Sequence, residues 1–218
     1  MIAEFDRDEA VAEAMAGLED STRGDLFRRT GVLAGLGLAA TLLPAGIAKA
    51  RNGGSKSGDV KILNFALTLE YLEAAFYAEA NANGSFMSPT VRRFAQVVGA
   101  HEAAHVAALK TALGAKAVKS PSFDFKGTTR SQKAFLRTAM VLEDTGVAAY
   151  QGQAPLIHQN AVLAPAGAIL AVEARHAAWV RNLLGDGKTV KPAPEAFNAP
   201  MTMSQVLAAV KKTGFIKS

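Results

Sequence analysis

Four long apolar stripes in this chain are each interrupted at mid-length by a glutamate. From about residue 60 onward, apolar residues recur at intervals of three and four, the period of a helix that buries one face. The first stripe, over 60–82, reads Leu63, Ala66, Leu67, Glu70, Ala74, Tyr77, and Asn83-Gly84 ends it. The second opens at Ser88-Pro89, an N-cap followed by proline at the first helical position. It reads Val91, Phe94, Val98, Glu102, His105, Leu109 and stops at Gly114. The third, over 129–153, reads Leu136, Ala139, Met140, Glu143, Val147, Tyr150, and the fourth, over 161–184, reads Ile169, Glu173, His176, Val180, Leu183. An ionised carboxylate among apolar side chains is costly unless it is paired or bound to a metal. One such glutamate is noise. Four at matching depth need a common cause.

The pattern also repeats. Glu70-x6-Tyr77 is answered by Glu143-x6-Tyr150, and Glu102-x-x-His105 by Glu173-x-x-His176. Glu70 lies 32 residues before Glu102, and Glu143 lies 30 before Glu173. The spacing predicts two related helical hairpins in an all-α four-helix bundle. A long crossover with Pro121 and Phe123-Asp-Phe125 joins helix two to helix three. A Pro-rich tail over 186–218 follows, with a short helix near 204–212; Phe197 and Phe215 are expected to dock it on the bundle. Residues i and i+3 share a helical face about 5–6 Å apart, so each Glu-x-x-His pair can grip one ion. Glu70 and Glu143 complete a set of six protein ligands for two metals.

The chain has no cysteine, which removes disulfides, thiolate zinc sites, iron–sulfur clusters and cysteine nucleophiles together. A metal must then be held by Glu, Asp and His, and hard carboxylates with one imidazole per ion suit iron or manganese. Tyr77 and Tyr150, two turns beyond their glutamates, are placed to donate hydrogen bonds to the metal-holding carboxylates. Glu73, one turn past Glu70, is the alternative to it; the Tyr77 parallel favours Glu70. Asp144 faces away and reads as solvated. His101 and His158 lack the spacing and read as surface residues or outlying neighbours of the site.

Residues 1–50 hold five Lys/Arg against eight Asp/Glu, and the remainder nineteen against eleven. The cations of the basic part are scattered rather than striped, which speaks for solvation and against a nucleic-acid partner. Arg28-Arg29 precede a Gly-rich uncharged run over 31–48 that ends in Ala48-Lys49-Ala50, a small-x-small cleavage signature. This reads as a twin-arginine-type export signal over 1–50, although Gly31 stands where that pattern has Phe. Residues 51–59 read as a flexible linker, and the bundle as 60–185. The expectation is a periplasmic or other extracytoplasmic protein, delivered folded by the twin-arginine export machinery. An uncleaved membrane anchor is the alternative.

Glu70, Glu102-x-x-His105, Glu143 and Glu173-x-x-His176 resemble the metal signature of the ferritin-like superfamily. The segments 63–77 (LNFALTLEYLEAAFY) and 173–181 (EARHAAWVR) look most like bacterial exported ferritin-like domain proteins related to plant desiccation-associated proteins. The resemblance covers about residues 60–185 and implies a bundle with two Fe ions, or Mn. Glu102/His105 would hold one ion and Glu173/His176 the other, with Glu70 and Glu143 bridging or capping. Related bundles oxidise ferrous iron, reduce or disproportionate peroxide, or oxygenate substrates, so the expected chemistry is O2- or peroxide-dependent redox, ferroxidase- or peroxidase-like. Two rivals stand beside it. One is a non-catalytic, stress-protective bundle. The other is a zinc protease, because His101-Glu102-x-x-His105 matches its motif; residues 106–142 offer that site no third Glu or His, only Asp124.

Overall fold

A computed structural model describes residues 55–185 and 190–217. The export-type segment 1–50 lies outside the described residues. Among the described residues there are five α-helices, α1 Lys56–Ala82, α2 Pro89–Leu113, α3 Gln132–Gln153, α4 Asn160–Leu184 and α5 Met203–Thr213. Among the described residues the strand-like pairing is a single antiparallel bridge, Phe123 to Ile216.

The helix limits follow from local capping. Ser55 accepts from the Gly58 N–H, so α1 starts at Lys56, and residues 56–59, read above as linker, are its first turn. Asp59 in that turn is buried. It accepts from the backbone N–H groups of His158 and Gln159 at 2.8 and 2.9 Å, tying the α3–α4 connection to α1. Burial by itself would raise the Asp59 pKa, and these donors outweigh it and hold it low. Ser131 caps α3, which therefore begins at Gln132 after a 3₁₀ turn over Thr128–Arg130. Ser88 caps α2 with Pro89 in its first turn, as the sequence predicts.

Helix α1 packs mainly on α2, and α3 on α4; α1–α3 and α2–α4 contacts close the bundle. Its two ends differ. One is aromatic: Phe76 stacks on Phe135 at 5.4 Å, and Tyr77, Phe94 and Phe125 meet them edge-on. The other is aliphatic, built from Leu63, Leu67, Leu109, Leu113, Ile169 and the ring of Tyr150. The glutamates of the four stripes lie between these two clusters.

The C-terminal tail closes the aromatic end. Val206 and Val210 of α5 and Phe215 join that core, and Phe215 meets Phe125 edge-on at 5.4 Å. The crossover is pinned by the same segment, since Asp124 N–H donates to the Phe215 carbonyl and Lys217 N–H to that of Ser122. Phe197 does not dock as expected; it is 80% exposed, because the Pro-rich stretch passes over the surface of α3 and α4 before turning inward. It turns in at Gly152, where the Met201 carbonyl comes so close that a Cβ would sit 1.9 Å from it. Met201 N–H is bonded to the Ala148 carbonyl at that crossing.

Candidate metal centre

Glu70, Glu102, Glu143 and Glu173 are fully buried, with His105 and His176 nearly so. Each glutamate is held by the apolar stripe of its own helix, which puts all four carboxylates at one level of the bundle. The two imidazoles sit one turn further along α2 and α4 and aim Nδ1 into the same space.

His105 Nδ1 lies 3.0 Å from Glu102 Oε2, 3.1 Å from Glu173 Oε1 and 3.2 Å from Glu70 Oε2. His176 Nδ1 lies 2.9 Å from Glu102 Oε1 and 3.3 Å from Glu143 Oε2. Glu102 thus turns one oxygen to each histidine. Two groups of potential ligand atoms result, each within 4.8 Å: Glu70, Glu102, His105, Glu173 and Glu102, Glu143, Glu173, His176. Glu102 and Glu173 belong to both. Glu70 and Glu143 belong to one each.

Many of these atoms face a common interior rather than a hydrogen-bond partner. Glu102 Oε1, Glu143 Oε2, both oxygens of Glu173 and His176 Nδ1 are buried without one. His176 Nδ1 and Glu102 Oε1 are close enough to bond but lack the alignment for it. Buried polar atoms are nearly always satisfied, and a cation between them would meet the need of all five. The donor set of carboxylates and imidazoles fits a hard divalent metal.

The tyrosines brace the cluster across the two halves. Tyr77 of α1 donates to Glu143 Oε1 of α3, and Tyr150 of α3 donates to Glu70 Oε1 at 2.6 Å. Each sequence repeat therefore orients the glutamate of the other.

The carboxylates and imidazoles shift one another's proton affinities. Burial disfavours charge on His105, yet Glu102, Glu173 and Glu70 push its pKa up to about 12. His176 rises to about 10 against the same penalty, through Glu102 and Glu143. Burial would raise Glu102, but the two imidazolium neighbours hold it at about 2. Glu70, with burial dominant, is raised to about 7. Burial and the surrounding carboxylates push Glu173 well above the usual range, and burial raises Glu143. Metal binding at these groups would therefore compete with protons.

Residues 58–186 match the family model of the ferritin-like domain. The chain belongs to the ferritin-like domain family. No curated protein matches it. Its helical bundle and its buried carboxylate–histidine cluster both agree with that membership, and the cluster is compatible with a metal site.

Three neighbours of the cluster carry more weight than their sequence context indicated. Glu73 is buried beside Glu70 rather than in its place, and burial followed by the charges of Glu173 and Glu143 pushes its pKa well up. His101 shares a 2.9 Å hydrogen bond between its Nδ1 and His176 Nε2, and the rings stack at 5.1 Å. That places His101 behind His176 and outside both ligand groups, although it stands in the protease-like motif with His105. Gly146, which the stripe pattern passes over, supplies space for carboxylates: a Cβ there would lie 3.0 Å from Glu173 Oε2 and 3.3 Å from Glu73 Oε1. Its signal was the repeat itself, because Gly146 follows Glu143 by the same three residues that separate Glu73 from Glu70. Asp144 is not simply solvated; it is ion-paired with Arg181, and burial raises its pKa.

Proposed function

We propose that this ferritin-like domain holds a dinuclear iron or manganese centre and uses it for O2- or peroxide-dependent redox chemistry. The observation that carries the reading is the double membership of Glu102 and Glu173 in the two ligand groups. On this reading Glu102 and Glu173 would serve both ions, with His105 and Glu70 holding one and His176 and Glu143 the other. Bound there, iron or manganese would supply one-electron redox capacity and Lewis acidity. The chain's own residues do the rest. Tyr77 and Tyr150 fix the orientation of the Glu143 and Glu70 carboxylates, and His101 holds the His176 ring through Nε2. The aromatic and aliphatic clusters on either side keep bulk water away. Glu73, buried with a raised pKa, is a reservoir for a proton beside the cluster.

The twin-arginine-type pattern around Arg28-Arg29 supports an exported protein whose metal is loaded before translocation.

Elemental analysis of the purified chain after loading with ferrous iron tests the assignment. The wild type is expected to hold two ions. Glu102→Gln and Glu173→Gln lose both, while Glu70→Gln and Glu143→Gln retain one. Two ions in all four variants, with helical circular dichroism unchanged, would sink the ligand set. A loaded chain that consumes neither O2 nor peroxide would sink the redox reading and favour the protective bundle.

A further inference from the structure

We propose that the cavity at the aliphatic end of the bundle is a binding site for a short, uncharged aliphatic molecule with one hydrogen-bonding group, an alcohol or an aldehyde, seated with that group at Gln153. All four long helices wall this cavity, and its volume is about 80 Å³. It exists because alanines, among them Ala66, Ala112 and Ala166, stand where larger side chains would fill the end of the bundle. Well-packed cores leave few voids larger than a water molecule.

Its lining is apolar except for Tyr150 and Gln153. The Tyr150 hydroxyl is already committed to Glu70. Gln153 is only 4% exposed, and no hydrogen bond among the described residues reaches its side chain. Its amide, unlike the unpartnered oxygens of the metal cluster, keeps some accessible surface, and a polar group bound in the cavity would give it a hydrogen-bond partner. The apolar walls reject a charged occupant, whose desolvation nothing here would offset. They favour a hydrocarbon body, and the amide selects for one polar group on it. The size sets the length. An apolar cavity of about 150 Å³ takes up benzene, so a space near half of that suits a short chain. Through the Tyr150 ring such a molecule would lie one side chain away from Glu70. The site stands on the cavity alone and does not depend on the metal reading.

Isoleucine δ1-methyl NMR of the full chain, titrated with n-butanol, tests this. Ile62, Ile157 and Ile169 line the cavity, whereas Ile216 packs at the aromatic end and serves as an internal control. The expected result is a saturable shift at the three cavity methyls with Ile216 unmoved. Ala112→Phe, at an exposed position on the rim, should abolish saturation. Gln153→Leu should weaken n-butanol about tenfold, the worth of one hydrogen bond, while leaving n-butane binding unchanged. Shifts that stay linear, or that move Ile216 equally, would overturn the site. Equal loss of n-butane and n-butanol in Gln153→Leu would overturn the role given to the amide.

Discussion

Glu73 and Gly146 stand at the same place in the two halves of the bundle, and the carboxylate of the first occupies the room left by the second. A Cβ on Gly146 would lie 3.3 Å from Glu73 Oε1 and 3.0 Å from Glu173 Oε2. The two hairpins repeat each other at Glu70/Glu143, Tyr77/Tyr150, Glu102/Glu173 and His105/His176. They part company here. One half adds a fifth buried carboxylate to the cluster, and the other gives up a side chain to accept it.

Gly146→Ala separates the fold from the site. Alanine in a helix interior gains about 1 kcal/mol over glycine. The atoms it crowds are the far ends of two flexible glutamates, which can yield by a few tenths of an ångström. The metal-free variant is therefore expected to melt at or slightly above the wild-type temperature. Its metal affinity should fall, because Glu173, which belongs to both ligand groups, is pushed off its position. Calorimetric melting of the chelated protein together with an iron titration checks both halves.

Tyr77→Phe and Tyr150→Phe each remove a hydrogen bond to a buried carboxylate. Both carboxyls have raised pKa values, so the bonds lie between neutral and charged ones, and each variant should lose about 1–2 kcal/mol in urea unfolding of the metal-free chain. Both substitutions leave an oxygen of Glu143 or Glu70 unpartnered. Equal stability of wild type and variant would show that the cross-brace contributes nothing.

The pH dependence of the metal-free chain has a definite sign. Glu70 is raised from 4.5 to about 7, so its protonated form stabilises the fold below pH 4.5, and that contribution is lost as pH rises through 7. The loss is about 3 kcal/mol. His176 and His105, raised to about 10 and about 12, contribute fully below pH 6.5 and lose that contribution as pH rises further through those values. Glu102, held at about 2, acts oppositely, and its contribution disappears as pH falls from 4.5 through 2. Chelated protein should thus melt higher at pH 5 than at pH 8. Metal-loaded protein should show the reverse, since acid returns protons to the ligands.

Gly152→Ala tests how the tail is held. The new Cβ would sit 1.9 Å from the Met201 carbonyl, a backbone atom that cannot swing aside. The Met201–Ala148 bond must break, and the seating of α5 against the aromatic core is disturbed with it. A loss of about 1–3 kcal/mol is expected, with faster proteolysis within residues 190–217. An unchanged digestion pattern would mean that the tail is held elsewhere.

The helical period, the Ser88-Pro89 start of α2 and the spacing of Glu70, Glu102, His105, Glu143, Glu173 and His176 were legible in the sequence, whereas the caps at Ser55 and Ser131 were not. Both the four-helix architecture and the membership of the cluster depend on which face each residue occupies. Period alone decides that, because side chains three and four apart share a face whatever the partner helix is. What passed between helices was not legible. The exchange of tyrosines between halves, the place of His101 behind His176, and the sharing of Glu102 and Glu173 by both groups depend on how the hairpins are rotated against each other. So do the burial of Glu73 against Gly146, the tail crossing at Gly152, and the cavity beside Gln153. Each of these is a distance between residues far apart in the chain, set by close packing in three dimensions, and a one-dimensional pattern carries no term for it.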